Sequence, residues 1–172
     1  MILDFANKWK PGDVLGVSFL NGSPKLHEKV AEVAKTWENY ANIKFDFTGN
    51  SRNVIRIRFN AGKNDSKIGT DALTFPAEEE TMCYAYIHEN SSEPEIKRVV
   101  LHEFGHALGL IHEHFHPYSG INFDRENTIK HFMSASGFSE ADVEKNVLRT
   151  YCINQLSSTE FDPNSIRFIQ YE

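Results

Sequence analysis

Several features that would classify the chain at once are missing from its 172 residues. Its two cysteines are too few to imply a disulfide-stapled scaffold or to indicate a redox compartment. No segment approaches the roughly 18 consecutive apolar residues that a membrane helix needs. Hydrophobic residues make up 40 % and charged residues 24 % of the chain, which gives no support to disorder, collagen repeats or coiled coils. A single globular domain is therefore expected.

Excess positive charge is also absent, because 18 lysines and arginines face 24 acidic residues and the net charge is -6. Nucleic acids and anionic membranes bind positive patches that displace counterions, so we expect neither as a partner. We expect a monomer. The basic residues Arg52, Arg56 and Arg58 alternate with apolar ones, which predicts a strand with one solvated face. Whether Cys83 and Cys152 pair stays open.

Hydrophobic periodicity predicts strands and helices in the first half of the chain. Apolar residues recur at steps of three and four over residues 26–40, as one buried face of a helix requires. The segment 62–76 is rich in glycine and polar residues and predicts a long connection with little regular structure. Runs of apolar or alternating residues predict strands at 14–20, 43–47, 54–59 and 82–87.

Helix signals return in the second half. Residues 90–95 contain cap residues, early acids and a proline suited to a first helical turn, and residues 99–110 then run apolar around a face rich in histidine. After His116 and Pro117 the chain is more polar, and two helical stretches are predicted at 125–133 and 139–150.

The segment HEFGHALGLIHE at residues 102–113 has the spacing of a metal site. Two histidines four residues apart on a helix project from one face, so His102 and His106 can chelate one ion. Glu103 lies beside the metal, where it can take a proton from a zinc-bound water. Gly109 can end the helix in a left-handed conformation and redirect the chain, which lets His112 act as the third ligand. Three protein ligands and water give the open site of a catalytic zinc.

Further polar residues follow the motif directly. His114 and His116 either contact the metal or a substrate, or are polar residues of a loop, and the sequence leaves this open. Glu113 lacks the geometry of a general base beside Glu103, and we expect a structural role for it.

The motif resembles the HExxHxxGxxH signature of the metzincins, and the glutamate after its third histidine resembles the astacin family, especially bacterial members. Segments WKPGDVLGVSFLNG, AKTWENYANIKFDF, IGTDAL, TMCYAYI and FDPNSI resemble that family in the same order. The resemblance implies one zinc ion per chain and hydrolysis of peptide bonds in extended polypeptide substrates. It also implies that residues 82–87 form the edge strand that pairs with substrate.

The fold implied by this resemblance is α+β. One catalytic domain over residues 1–172 would place a twisted mixed sheet and two long helices above a cleft. An N-terminal subdomain would span residues 1–112, and a small irregular C-terminal subdomain, shortened relative to the family, would span residues 113–172. We expect a secreted or extracellular protein. The first 20 residues lack signal-peptide features, but an extracellular protease can lose its signal and pro-segment by processing or cloning.

One segment departs from the family pattern. Where astacins carry Ser-x-Met-His-Tyr beneath the zinc, residues 165–171 have the sequence SIRFIQY. Arg167 takes the place of the methionine, and we expect it to turn away from the metal, because a cation beneath Zn²⁺ would be desolvated and repelled. Tyr171 comes two residues late and stays an open candidate for contact with the metal or the transition state.

Two functions remain in competition. The first is an active zinc endopeptidase, which the intact Glu103 favours. The second is a zinc-binding pseudoprotease or peptide-binding module, which the altered segment around Arg167 favours. Metal-dependent hydrolysis of a non-peptide amide is chemically allowed, but no feature of the sequence points to it.

Overall fold

The structure is a computed structural model that describes residues 1–60, 62–149, 151 and 153–167. The chain divides into a large unit, Phe5–Leu110, and a small unit, Met1–Asp4 with Ile111–Glu172. Among the described residues, no helix combines the length and apolar character needed to cross a membrane. The strands and α-helices are β1 (Ile2–Asp4), β2 (Val14–Phe19), α1 (Pro24–Ala34), β3 (Lys44–Asp46), β4 (Asn53–Phe59), β5 (Asp65–Ser66), β6 (Met82–Tyr84), α2 (Glu93–Ala107), β7 (Leu110–Ile111), α3 (Arg125–Ser136), α4 (Glu140–Val143) and β8 (Leu156–Ser158).

A five-stranded sheet in the order β3-β2-β4-β6-β5 forms the large unit together with α1 and α2. Strands β3, β2, β4 and β6 are parallel, and β5 runs antiparallel to β6. The antiparallel edge strand is therefore β5, and the expectation that residues 82–87 form the edge was wrong, because β6 lies between β4 and β5. The two residues of β5 sit in a polar segment without hydrophobic alternation, which gave no strand signal.

Helix α1 begins at a proline and is capped by Ser23, whose hydroxyl accepts a hydrogen bond from the Leu26 N–H at 3.3 Å. Its apolar face is buried, as its periodicity predicts. The segment continues as a 3₁₀ helix over Lys35–Asn39, where Trp37 is buried and donates its indole N–H to the Leu101 carbonyl of α2 at 3.1 Å. This hydrogen bond ties the end of the first helical segment to the middle of α2.

Helix α2 starts at the cap residue and the proline that the sequence predicted for its first turn. The Ser92 hydroxyl accepts from the Glu95 N–H at 3.4 Å, and Pro94 occupies the first turn, where a missing N–H costs nothing. One face of the helix is buried in the apolar core of the large unit; its members are Ile96, Val99, Val100, Phe104 and Ala107. Burial of such a stripe contributes roughly 25 cal/mol per Å² of apolar area, so the core holds the helix in one rotation about its axis.

Arg56 departs from the predicted pattern of β4, since it is buried and not solvated. Its guanidinium donates to the carbonyl oxygens of Glu79 at 2.5 Å, Pro76 at 2.9 Å and Asn53 at 3.0 Å, with a longer contact of 3.4 Å to Phe75. Burial is the main cause of its lowered pKa, and the carbonyl oxygens satisfy its donors. Arg56 thus fixes the chain that leads into β6.

The small unit pairs β1 with β8 in antiparallel register, with β7 on the other side of β1. A separate apolar cluster forms where α3 packs on α4 and on the π-helix Glu144–Leu148 that continues it; its buried members are Ile129, Phe132, Val143 and Val147. Both helical stretches were predicted. Strands β1 and β8 were not, because three residues are too few to show alternation.

The thiol of Cys83, on β6, is predicted to be unreactive in the folded protein. Cys83 is a buried free cysteine, and burial, with the charges of Asp65 and Glu80, raises the pKa of its thiol to about 11. In the Cys152→Ser variant, iodoacetamide at pH 8 should alkylate Cys83 roughly 100-fold more slowly than a free cysteine of pKa about 8.5. Peptide mass spectrometry with and without denaturant measures this, and equal native and denatured rates would contradict it.

Candidate metal centre

His102 and His106 lie one turn apart on α2, as their spacing predicts. Their ring centroids are 5.1 Å apart and the ring planes meet at 81°. The Nδ1 atom of His106 is 2.9 Å from the carbonyl oxygen of Leu110. Because a carbonyl oxygen only accepts, Nδ1 carries the proton and Nε2 keeps its lone pair. The backbone therefore orients this imidazole as a metal ligand through its Nε2.

The chain turns sharply after α2. Gly109 has φ of 97°, in the left-handed region, and its N–H donates to the His106 carbonyl at 2.8 Å. This conformation favours glycine because it has no Cβ to clash with the backbone. The turn brings His112 back, so that one ligand atom from each of His102, His106 and His112 lies within 4.8 Å of the other two.

The donor set fits a zinc ion. Zinc binds imidazole nitrogen at roughly 2.0 to 2.1 Å, and three imidazoles with one open position form a recognised catalytic set. The separations between the three ligand atoms are small enough for a single ion to meet all of them. The structure therefore positions these histidines to bind a metal ion.

Glu103, the residue after the first histidine, is 4 % exposed. Sequence analysis missed Tyr84 of β6, which is fully buried. Burial raises the pKa of the Tyr84 hydroxyl well above its usual value, and the negative charge of Glu103 raises it further. The hydroxyl has no hydrogen-bond partner among the described residues, an arrangement that costs about 1–3 kcal/mol. No sequence signal indicated this tyrosine, because its strand predicted only packing.

His114 lies in the 3₁₀ helix Glu113–Phe115 and His116 directly follows it, and both side chains are buried. The His114 ring packs on Phe115 at 4.0 Å, and burial lowers its pKa to about 4, so the ring is neutral at pH 7. The His116 ring contacts the Thr159 carbonyl through Nε2 at 2.9 Å and accepts the Tyr118 N–H at 3.1 Å through Nδ1.

Glu113 is fully buried in the small unit, where structural contacts surround its carboxylate. Oε1 accepts the Asp162 N–H at 3.2 Å, and the Met1 amine lies 3.2 Å from each carboxylate oxygen. The Glu113 N–H donates to the Arg167 carbonyl at 3.0 Å. The structural role expected for Glu113 stays a prediction.

Arg167 is fully buried, and its backbone N–H donates to the Ser165 hydroxyl at 3.2 Å. With the contact between its carbonyl and Glu113, its main chain is held firmly on both sides. Whether the side chain turns away from the metal stays a prediction. Tyr171 and Cys152, with the questions they raised, lie outside the described residues.

Known proteins resemble this chain over most of its length. A sequence model of the peptidase family named Astacin matches residues 2–166. No curated protein sequence matches the chain significantly. A solved structure of myroilysin shares 36 % identity with a TM-score of 0.91, over 98 % of this chain and 83 % of that one. A crystal structure of myroilysin shares 35 % identity with a TM-score of 0.71, over 95 % and 72 %.

A more distant structure shows the same fold. High choriolytic enzyme 1, a hatching enzyme zinc-protease from the medaka fish Oryzias latipes, has 17 % identity and a TM-score of 0.58, over 95 % of this chain and 73 % of that chain. The comparisons confirm the α+β metzincin-type fold and favour a protease over a pseudoprotease. The chain belongs to the astacin family of zinc metalloendopeptidases.

Proposed function

We propose that His102, His106 and His112 hold the catalytic zinc and that Glu103 is the general base for cleavage of extended polypeptides. The observation that carries the proposal is the convergence of three imidazole ligand atoms within 4.8 Å, next in sequence to a carboxylate that is 4 % exposed. A peptide-binding module would gain nothing from this carboxylate, so the intact Glu103 argues against that alternative.

The roles of the residues follow from their chemistry. A zinc ion, when bound, polarises the scissile carbonyl and lowers the pKa of water towards neutrality. Glu103 accepts a proton from the attacking water and returns it to the leaving amine nitrogen. Its low exposure keeps bulk water from competing for that proton, and the hydrogen bond from His106 Nδ1 to the Leu110 carbonyl holds the ring in one orientation.

The substrate backbone is proposed to add to the outer edge of β5. This strand packs against α2, the helix that carries His102, Glu103 and His106. The Lys67 N–H donates to the carbonyl oxygen of Thr81, the residue before β6, at 2.9 Å. Successive N–H groups of a strand point in opposite directions. The Ser66 N–H therefore points away from β6, towards a strand that would extend the sheet.

The proposal extends to the place of action. An endopeptidase that cleaves extended polypeptides would destroy nascent chains in the cytosol, which supports a secreted enzyme. With 24 acidic and 18 basic residues, the chain is unsuited to nucleic acid or anionic membranes. We propose a monomer whose partner is its protein or peptide substrate.

Removal of any one imidazole is predicted to abolish stable zinc binding. His102→Ala, His106→Ala and His112→Ala should each retain less than about a tenth of the wild-type zinc after dialysis, because two imidazoles leave the ion with too few protein ligands. Atomic emission measures the metal content. His131→Ala, which alters an exposed histidine, is the matched control and should keep its zinc. Full zinc content in any of the three variants would remove that residue from the site.

Replacement of Glu103 should separate metal binding from turnover. Glu103→Gln should keep one zinc per chain and lose about 10²- to 10⁴-fold in kcat on a denatured protein substrate, because the amide cannot accept the proton. Metal analysis and peptide-release kinetics measure the two properties on one sample. Wild-type turnover in Glu103→Gln would refute the assigned role.

A proline at position 66 tests the edge strand. Ser66→Pro removes the outward N–H without breaking a hydrogen bond to β6, which an edge strand tolerates. We expect kcat/KM for an extended peptide to fall about tenfold with unchanged zinc content and melting temperature, because one main-chain hydrogen bond to substrate is lost. Ser66→Ala keeps the N–H and is the control. Equal activity of the two variants would show that substrate does not pair there.

A further inference from the structure

Gly69 lies where three segments of the large unit meet, and its backbone leaves no room for a side chain. It is buried at the start of the 3₁₀ helix Gly69–Thr74, and its φ of 51° is in the left-handed region. A Cβ built on it would overlap the Asn7 carbonyl oxygen. The same Cβ would lie 3.1 Å from the Cα of Gly109, whereas carbon atoms pack at about 3.5 to 4.0 Å. Both neighbours are main-chain atoms, which cannot rotate away as the end of a side chain can.

Gly109 is the neighbour that links this contact to the metal centre. It makes the left-handed turn after α2, and the carbonyl oxygen of the next residue, Leu110, is 2.9 Å from His106 Nδ1. That carbonyl fixes the tautomer and the orientation of the imidazole, as the partners of ligating histidines do. A shift of the Gly109 backbone would move the Leu110 carbonyl, and the His106 ring with it. The shift would also redirect the chain that runs on to His112.

The segment that contains Asn7 also holds the end of α2. The Trp9 indole N–H donates to the carbonyl of Ala107, the last residue of α2, at 2.8 Å. The 3₁₀ helix Phe5–Asn7 packs against the one that Gly69 begins, and the latter packs against α2. The helix end is therefore tied to the Asn7 segment two residues before the Gly109 turn. This tie leaves the turn little freedom to move away from a side chain at position 69.

We propose that Gly69 is a positioning residue for the metal centre. Without a Cβ, its backbone lies against Gly109, and this contact, backed by the segment from Asn7 to Trp9, sets the turn that orients His106 and His112. A glycine that serves only its own turn needs a left-handed φ and no such neighbour. Gly137 is of that kind, since its φ is 66° and a Cβ there would meet nothing within 4 Å. The inference rests on the proposed function, in which both histidines bind zinc.

The test compares Gly69→Ala with Gly137→Ala, because both add a Cβ at a left-handed φ and only the first presses on the turn. The zinc-loaded proteins are equilibrated with graded concentrations of a zinc chelator, and atomic emission measures the zinc that each retains. Gly69→Ala should bind zinc about 10- to 100-fold more weakly than wild type, the usual loss when the partner of a ligating histidine is disturbed. Gly137→Ala should bind zinc as tightly as wild type, although its strained φ lowers the melting temperature.

A second variant decides the question if circular dichroism shows that Gly69→Ala does not fold. Trp9→Phe removes the N–H that ties the end of α2 and adds no atoms, and it should weaken zinc binding about fivefold, the usual effect of one hydrogen bond.

Two results would overturn the inference alone. One is a folded Gly69→Ala that binds zinc as tightly as wild type or no more weakly than Gly137→Ala. The other, where Gly69→Ala does not fold, is wild-type zinc binding in Trp9→Phe. Full zinc content in His106→Ala would refute the proposed function as well.

Discussion

The rotation of α2 about its own axis is the constraint on which the rest of the structure depends. With 3.6 residues per turn, the helix presents Val100, Phe104 and Ala107 to the core and projects His102 and His106, a single turn apart, from one face. The apolar face can be buried in only one rotation, and that rotation also sets the direction of both imidazoles. Core packing and ligand geometry are therefore set by the same periodicity.

Other parts of the large unit hold this helix in place or build the cleft beside it. Trp37 donates to the carbonyl of Leu101, between the core residue Val100 and the proposed ligand His102, and β5 packs against the same helix. Arg56 fixes the chain before β6 through the carbonyl oxygens of three of its residues, Phe75, Pro76 and Glu79. Because β6 carries Tyr84 and supports β5, that buried arginine is linked through the sheet to the strand that is proposed to meet substrate.

Strong periodicity and metal-ligand spacing made much of this predictable. The strands of the parallel sheet, α1, α2 and the two later helices follow from apolar repeats and cap residues, and the spacing of the histidines indicated their convergence. The short strands β1, β5 and β8 were not predicted, because they have two or three residues each and depend on pairing with distant strands. Arg56 was misjudged, because its burial depends on carbonyl groups that only the fold brings to it.

X-ray absorption at the zinc edge of the reconstituted protein tests the central claim most directly, because it reports the atoms around the metal without mutation. The account predicts one zinc per chain with a first shell of nitrogen and oxygen at roughly 2.0 to 2.1 Å, and an outer-shell pattern that fits three imidazoles. A sulfur shell near about 2.3 Å, or a pattern that requires fewer than three imidazoles, would contradict it.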